Sequence, residues 1–152
     1  NPHKLLYVGR FDLNKNVELL IDAFLIAQKQ KPDLELHIIG VGGERESFVL
    51  EKVNAHPDVI FYHGPVYDLP QLQKHFQNAD LFTMISHSET FGLVYIEALT
   101  QGVPILYTKG QGVDGVFGHN SVGVSVDVQH PEIVSEGLLK ALENYNIYKK
   151  NI

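Results

Sequence analysis

Two glutamates, Glu89 and Glu97, are the residues of this sequence best suited to chemistry. Glu97 is the one charged residue between positions 91 and 108. An ionised carboxylate in such an apolar run is costly unless a hydrogen-bond donor satisfies it. Glu89 lies eight positions upstream, just before a predicted helix start. A ligand with hydroxyl groups at both ends would satisfy both acids.

Two cations, Arg10 and Lys15, flank the first predicted strand-to-helix turn. The free N–H groups at a helix start attract anions, arginine offers phosphate a two-pronged donor, and lysine adds a point charge. The pair therefore predicts an anion site. The alternative is solvated surface charge, with Asp12 as a partner at the helix start.

The turn Gly40-Val41-Gly42-Gly43 follows the second predicted strand and lacks the spacing of a dinucleotide fingerprint. The first strand also ends in Gly9-Arg10-Phe11-Asp12 rather than in a glycine-rich turn, which argues against a nicotinamide-dependent dehydrogenase. The glycines indicate either a tight turn that needs positive φ or a close backbone approach to a planar base.

The segment Phe91-Gly92-Leu93 opens a predicted apolar helix. Its N–H groups could hold a diphosphate, since Gly92 has no side chain to obstruct it. Glu97 would then lie about 9 Å further along the axis, at 1.5 Å per residue, while Glu89 stays on the loop. A nucleotide sugar has this layout of ribose, diphosphate and sugar. The alternative for Glu97 is an internal ion pair with an arginine or lysine.

The eight histidines show no metal-ligand spacing, so the sequence predicts no metal site. His63 and His87 follow predicted strands, where they either face a ligand or make local hydrogen bonds. There is no cysteine, which excludes disulfides and thiolate metal sites.

Composition predicts one globular domain over residues 1–152. The chain is 44% hydrophobic and 20% charged, and its length suffices for one well-buried core. A net charge of −6 argues against nucleic acid as the main partner. No apolar run approaches the ~20 residues of a membrane span. Because the first residues lead straight into a strand pattern, we expect a domain excised from a longer protein.

Strand and helix patterns alternate along the chain, which predicts an α/β fold with a mostly parallel sheet covered on both faces. Ligands of such sheets bind beyond the carboxyl ends of the strands. The predicted strands are 4–8, 34–39, 59–62, 80–85, 103–107 and 122–126. The predicted helices are 16–30, 44–55, 69–76, 91–100 and 131–144. The seven C-terminal residues are expected to be a frayed helix end.

Six fragments in register resemble the C-terminal domain of retaining glycosyltransferases of the GT-B fold, glycosyltransferase family 4. The resemblance covers nearly the whole chain, and Glu89 and Glu97 match the Glu-x7-Glu signature of that family. The fragments are Tyr7-Val8-Gly9-Arg10 with Lys15-Asn16, Ile38-Ile39-Gly40-Val41-Gly42, Phe61-Tyr62-His63-Gly64-Pro65-Val66, Asn78-Ala79-Asp80-Leu81, Ser86-x-x-Glu89-x-Phe91-Gly92-Leu93 and Glu97-Ala98-x-x-x-Gly102-Val103-Pro104.

The resemblance implies a Rossmann-like three-layer α/β/α sandwich, one half of a GT-B fold. It implies that Arg10 and Lys15 clamp the donor phosphates, that Glu89 faces the donor sugar, and that these three are catalytic. It further implies that Glu97 accepts the ribose hydroxyls. The remaining donor-binding residues that it implies are Gly9, Gly40, Gly42, Phe91, Gly92 and Leu93.

The implied activity is transfer of a hexose from a UDP-, GDP- or ADP-sugar, with retention and no obligatory cofactor or metal. The acceptor, a glycan, a lipid or a polysaccharide precursor, would bind through an N-terminal domain outside this chain. The isolated domain would then be inactive or weakly active. The expected location is the cytoplasm, with peripheral association of the full enzyme at the inner face of the membrane.

Two alternatives stay open. The chain could belong to another GT-B enzyme, such as a nucleotide-sugar epimerase or a phosphorylase. A phosphorylase would be expected to carry a lysine for pyridoxal phosphate, and Lys109 is the one lysine between positions 91 and 118. It could also be a non-catalytic ligand-binding module of flavodoxin-like type.

Overall fold

The structure, a computed structural model, describes residues 1–90, 92–118 and 121–152. Over these residues the chain forms a six-stranded parallel sheet between two layers of helices. The strands are β1 Lys4–Val8, β2 Glu35–Ile39, β3 Ile60–Tyr62, β4 Leu81–Thr83, β5 Ile105–Thr108 and β6 Gly123–Val126. The helices are α1 Val17–Gln30, α2 Glu46–Asn54, α3 Leu69–Asn78, α4 Leu93–Thr100, α5 Pro131–Glu143 and α6 Tyr145–Asn151.

Burial on both faces explains why the strands are short apolar runs. In β1 the consecutive residues Leu5, Leu6 and Tyr7 are all buried, although their side chains point alternately to opposite faces. A parallel sheet with helices on both faces requires this pattern, whereas a half-exposed sheet would show alternation. The predicted α/β class with a mostly parallel sheet is confirmed.

The strand order is β3-β2-β1-β4-β5-β6. This is the order of the Rossmann fold, not the 2-1-3-4-5 order of flavodoxin-like domains. The alternative of a flavodoxin-like module is therefore wrong for the described residues. The order reverses between β1 and β4, which places a crevice beyond the carboxyl ends of these two strands.

Helices α1, α2 and α5 cover one face of the sheet, where α1 packs against both α2 and α5. Helices α3 and α4 lie on the other face, because right-handed crossovers toward β4 and β5 place them there. The first turns of α1 and α4 thus approach the crevice from opposite sides of the sheet.

The element bounds differ from the sequence predictions mainly at the ends. Strand β4 is three residues long, although Met84 and Ile85 beyond it are buried. Helix α4 begins at Leu93, and the predicted start at Phe91 lies outside the described residues. A 3-10 turn, Leu13–Lys15, precedes α1.

The C-terminal residues are not a frayed end. They form α6, whose Tyr148 is buried, and Lys149 Nζ donates to the carbonyl oxygen of Gly102 at 2.6 Å. Asn151 donates to the carbonyl of Ser121 at 2.7 Å. The sequence prediction failed here because two lysines in a seven-residue segment suggested an exposed end, whereas Tyr148 in the same segment is buried.

Within the described ranges, no helix combines the length and apolar character needed to cross a membrane.

Candidate functional site

The loops after β1 and β4 meet at the crevice where the strand order reverses. The backbone N–H of His87 donates to the carbonyl of Asn14 at 2.8 Å. The Asn14 side chain adds two bonds to Ser88: its amide donates to the carbonyl at 2.8 Å, and its oxygen accepts from the N–H at 3.0 Å. These contacts hold the segment that carries Lys15 against the segment that carries Glu89.

Lys15 and Glu89 form an ion pair in this crevice. Lys15 Nζ lies 3.4 Å from Glu89 Oε2, and the two side chains are 24% and 17% exposed. Partial burial shields the pair from solvent screening, so each charge acts more strongly on a ligand than a surface charge would. The structure thus brings together two of the three predicted catalytic residues.

Two buried tyrosines hold the segments that follow β1 and β4. The Tyr7 hydroxyl donates to the carbonyl of Arg10 at 2.5 Å, and the Tyr95 hydroxyl donates to the carbonyl of Met84 at 2.6 Å. Burial, and to a smaller degree nearby negative charge that includes Glu89, raises the pKa of both hydroxyls well above the ordinary value. They stay neutral donors and hold the ends of both loops.

Arg10 extends from the crevice rim into solvent. Its side chain is 63% exposed, and its Nε lies 3.4 Å from a carboxylate oxygen of Asp12. The guanidinium also lies over Gly42, where an added Cβ would be 2.8 Å from Nη1. This position matches the alternative interpretation of Arg10, a solvent-exposed charge with Asp12 as its partner.

The glycine turn after β2 extends the sheet toward the crevice. Gly9 N–H donates to Ile39 O, and Gly40 N–H donates to Gly64 O, both at 3.0 Å. Phe11 N–H donates to Gly42 O at 2.8 Å, and the Gly42 N–H donates to the carboxylate of Glu46. The three predicted glycines thus lie in one hydrogen-bonded rim that leaves little side-chain bulk at the crevice.

Helix α4 starts at the crevice with an exposed first turn. Gly92 is its N-cap residue, with φ +77°, and Leu93 is 73% exposed. Phe91, a predicted backbone donor, lies outside the described residues. The helix start that was predicted to hold a diphosphate thus follows the Glu89 loop directly.

Glu97 is exposed rather than buried, so the alternative of an internal ion pair is wrong for the described residues. It lies on the outer side of α4, beside Leu69 and Gln73 of α3, in a cleft of about 120 Å³. No described cation pairs with it. The run is apolar because the other side of α4 packs on β5, while the Glu97 side chain lies at the surface.

His63 makes a local hydrogen bond, which was the second interpretation of this residue. Its Nε2 lies 2.8 Å from His37 Nδ1, and His37 Nε2 lies 2.9 Å from Glu35 Oε1. The His75 ring follows at 4.8 Å from the His63 ring, beside a cavity of about 170 Å³. Burial first, and then the neighbouring histidines, lowers the pKa of His63; burial first, and then His37, lowers that of His75.

These lowered pKa values predict that acid destabilises the fold near neutrality. The unfolded chain takes up protons as the pH falls below about 6.5, the ordinary histidine value, while the folded chain resists them. The free energy of unfolding therefore falls as the pH goes from 7.5 to 5.5. Urea unfolding across this range should show the decline, and His63→Gln and His75→Gln should each flatten it.

The exposed His130→Gln serves as the matched control, since His130 makes no cap hydrogen bond at α5. Carboxylates act in a lower window: a hydrogen bond from Arg45 lowers the pKa of Glu18, and one from the Leu13 N–H lowers that of Glu44. An unchanged pH slope in both histidine variants would contradict the prediction.

Sequence reasoning missed the residues that assemble the crevice: Asn14, Asn16 and Gln111. Asn16 is the one non-glycine among the described residues with positive φ, and its side chain donates to Ile85 O at 3.1 Å. Gln111 Oε1 accepts from Glu89 N–H at 3.1 Å. The one hint in the sequence was an asparagine on each side of Lys15. Asparagine is common in turns, so a local pattern indicates only a turn at this point.

Across the described residues, no group of three or more histidine or acidic side chains is arranged to hold a metal ion.

Comparison with known sequences gives one consistent result. The family model described as glycosyl transferases group 1 matches residues 1–152. The D-inositol 3-phosphate glycosyltransferase of Pseudarthrobacter chlorophenolicus is 32% identical over 130 residues, covering 83% of this chain and 31% of that protein. The chain spans about a third of the length of the curated relatives it matches.

Solved structures agree on the fold. The C-terminal domain of a glycosyl transferase group 1 family protein (LpcC) from Francisella tularensis has a TM-score of 0.84 at 20% identity, covering 98% of this chain and 81% of that one. The pneumococcal O-GlcNAc transferase GtfA, in complex with UDP and GlcNAc, has a TM-score of 0.82 at 20% identity, covering 98% and 31%. At these identities the likeness concerns the fold.

Proposed function

Because this chain belongs to the family of glycosyl transferases group 1, we propose that it is the donor-binding domain of a retaining glycosyltransferase of family 4. The observation that carries the proposal is the Lys15–Glu89 pair at the point where the strand order reverses. A donor that needs a cation for its diphosphate and an acid for its sugar hydroxyls matches this pair.

The proposed donor is a UDP-, GDP- or ADP-hexose. Lys15 binds the diphosphate together with the N–H groups of the first turn of α4, and Arg10 swings from Asp12 onto the outer phosphate. Glu89 accepts hydrogen bonds from the sugar hydroxyls, and Glu97 accepts from the ribose. Gly9, Gly40 and Gly42 have no side chains and leave room for the base and the sugar of the donor.

Catalysis on this proposal is stabilisation of the leaving group. When the bond between the anomeric carbon and the diphosphate breaks, negative charge grows on the phosphate oxygen. On this proposal Lys15 and the N–H groups at the start of α4 stabilise that charge with little reorganisation, and Arg10 adds its charge once it has turned away from Asp12. Glu89 meanwhile keeps the sugar oriented for attack on the face that preserves configuration.

The acceptor side of the reaction lies outside this chain on the proposal. An N-terminal domain would supply the acceptor site for a glycan, a lipid or a polysaccharide precursor, in the cytoplasm or at the inner face of the membrane. This chain alone would then bind donor and transfer little.

Calorimetric titration of the chain with UDP, GDP and ADP tests the donor site. We expect saturable binding of one nucleotide. Glu97→Gln should weaken it by about five- to tenfold, because the amide keeps an acceptor oxygen but loses the charge that strengthens its hydrogen bonds. Glu136→Gln is the matched control, an exposed helical glutamate on α5.

Absence of binding to all three nucleotides by the folded chain would contradict the donor proposal. Binding that Glu97→Gln and Glu136→Gln leave equally unchanged would keep the donor site and remove Glu97 from it.

A further inference from the structure

We propose that Asn14, supported by Gln111, is a positioning residue that holds Glu89 in the orientation needed to engage the donor sugar. The proposal rests on the donor-binding function and adds to it a residue that acts through another. It concerns the loop between β4 and α4, whose residues 87–89 precede the first turn of the helix.

Asn14 holds this loop with three bonds. Its carbonyl accepts from His87 N–H at 2.8 Å, and its side chain bonds both backbone groups of Ser88, at 2.8 and 3.0 Å. A side-chain amide that pairs with the N–H and C=O of one residue replaces a missing neighbouring strand. Because donor and acceptor are both required, an aspartate or a hydrophobic residue cannot reproduce the pairing.

Gln111 holds the same loop from the opposite side. Its Oε1 accepts from the N–H of Glu89 at 3.1 Å, and Gly112 N–H donates to the carbonyl of Glu89 at 3.0 Å. Both backbone groups of Glu89 are therefore fixed by the segment that follows β5, while Ser88 is fixed by the segment that follows β1.

Neither amide is placed to do the chemistry itself. The polar atoms of the Asn14 side chain are occupied by Ser88, and the Gln111 oxygen is occupied by Glu89. What they determine is where the Glu89 carboxylate points, at 3.4 Å from Lys15. Removing either amide should therefore weaken binding of the donor sugar, which Glu89 contacts, and leave binding of the nucleoside diphosphate nearly unchanged.

The test separates sugar from nucleotide. The sugar increment is defined as the affinity for a nucleotide sugar divided by the affinity for its nucleoside diphosphate. Calorimetry measures it with three ligand pairs: UDP and UDP-glucose, GDP and GDP-mannose, and ADP and ADP-glucose. The proteins compared are the wild type, Asn14→Ala, Asn14→Asp, Gln111→Ala and Glu89→Gln. We expect Asn14→Ala to weaken nucleotide-sugar binding about fivefold and nucleoside diphosphate binding less than twofold. Asn14→Asp should fall between, and Gln111→Ala should show the same selectivity.

A double-mutant cycle supplies the readout that a merely structural role would not move. In the Glu89→Gln background, Asn14→Ala should remove nothing further from the sugar increment, because the two residues act as one unit. Asn144→Ala is the matched control, since that amide bonds its own helix carbonyl, Lys140 O, at 3.1 Å. Circular dichroism melting of each variant verifies that the fold is intact.

Three results overturn the inference. Equal losses for nucleotide and nucleotide sugar would make Asn14 a general stabiliser of the crevice. Full additivity with Glu89→Gln would make its action independent of Glu89. A wild-type chain that binds nucleoside diphosphate without any sugar increment would remove the role of Glu89, whereas a folded wild type that binds no nucleotide at all would overturn the donor function itself.

Discussion

Lys15→Ala is expected to weaken nucleoside diphosphate binding by roughly ten- to a hundredfold, which corresponds to about 1.5–3 kcal/mol for a hydrogen bond to a charged group. The Nζ of Lys15 is only partly exposed and stands at the reversal of strand order. Removing it leaves Glu89 uncompensated, so a diphosphate would meet a net negative crevice. The measurement is calorimetric titration with the nucleotide that the wild type binds.

Two further variants test whether the positive charge at position 15 is what binds the phosphates. Lys15→Arg keeps the positive charge and should retain most of the affinity, whereas Lys29→Ala removes an exposed lysine from the far end of α1 and should change nothing measurable. Glu89→Gln should act in the opposite direction on the nucleoside diphosphate, because it removes a repelling charge and frees Lys15. Equal affinity of Lys15→Ala and the wild type would refute the phosphate role.

The second large effect concerns stability. Gly40→Ala should lower the free energy of unfolding by about 3 kcal/mol or more, through steric overlap together with backbone strain. A Cβ at Gly40 would stand 1.8 Å from the carbonyl oxygen of Gly9 and 2.9 Å from its carbon. Both obstacles are backbone atoms of a strand end that is itself bonded to Ile39, so they cannot turn aside as a side chain could.

Gly64→Ala is the matched control for Gly40→Ala. Gly64 also has positive φ, +70°, but nothing lies within 4 Å of an added Cβ, so the change should cost only the about 1–2 kcal/mol of a left-handed conformation. Urea unfolding with an unchanged m-value compares the two variants. The steric argument fails if the alanine at position 40 costs no more than the one at position 64.

The expected losses in binding and in stability come from one rim. Gly40 lies where the carboxyl ends of β1, β2 and β3 are hydrogen-bonded to one another, next to the turn that contacts Arg10. Lys15 lies in the segment that follows the carboxyl end of β1. A variant that distorts the glycine rim should therefore also weaken nucleotide binding. Lys15→Ala should lower the unfolding midpoint less than Gly40→Ala does, because it removes one ion pair and creates no overlap with backbone atoms.

Much of the fold follows from local patterns. The spacing of apolar residues predicted α1 within one residue of its start, and Lys4–Val8 is a strand as predicted. These elements bury their own periodic positions, so a local pattern reports them. Such a pattern fails where a distant element decides burial. Glu97 stays exposed although α3 lies beside it, and α6 docks through the buried Tyr148 together with side-chain bonds from Lys149 and Asn151.

The candidate site was likewise predictable only in part. The types of its residues, a cation beside a helix start and an acid before the next apolar helix, were readable from the sequence because each depends on a few neighbouring positions. The sequence also indicated that they stand after strands. It carried no sign that Asn14 and Gln111 hold the acid from two sides, since those bonds join distant segments.

Propensity, periodicity and strand direction act over a few residues. The elements, the chemistry of the side chains and the edge of the sheet at which they lie could therefore be predicted from local patterns. The pairing of Lys15 with Glu89, 74 positions apart, is visible in the folded chain and not in any local pattern. That contact depends on β1 and β4 being neighbours in the sheet. The neighbour of a strand is decided by long-range packing of the whole sheet and its helices, which no local pattern specifies.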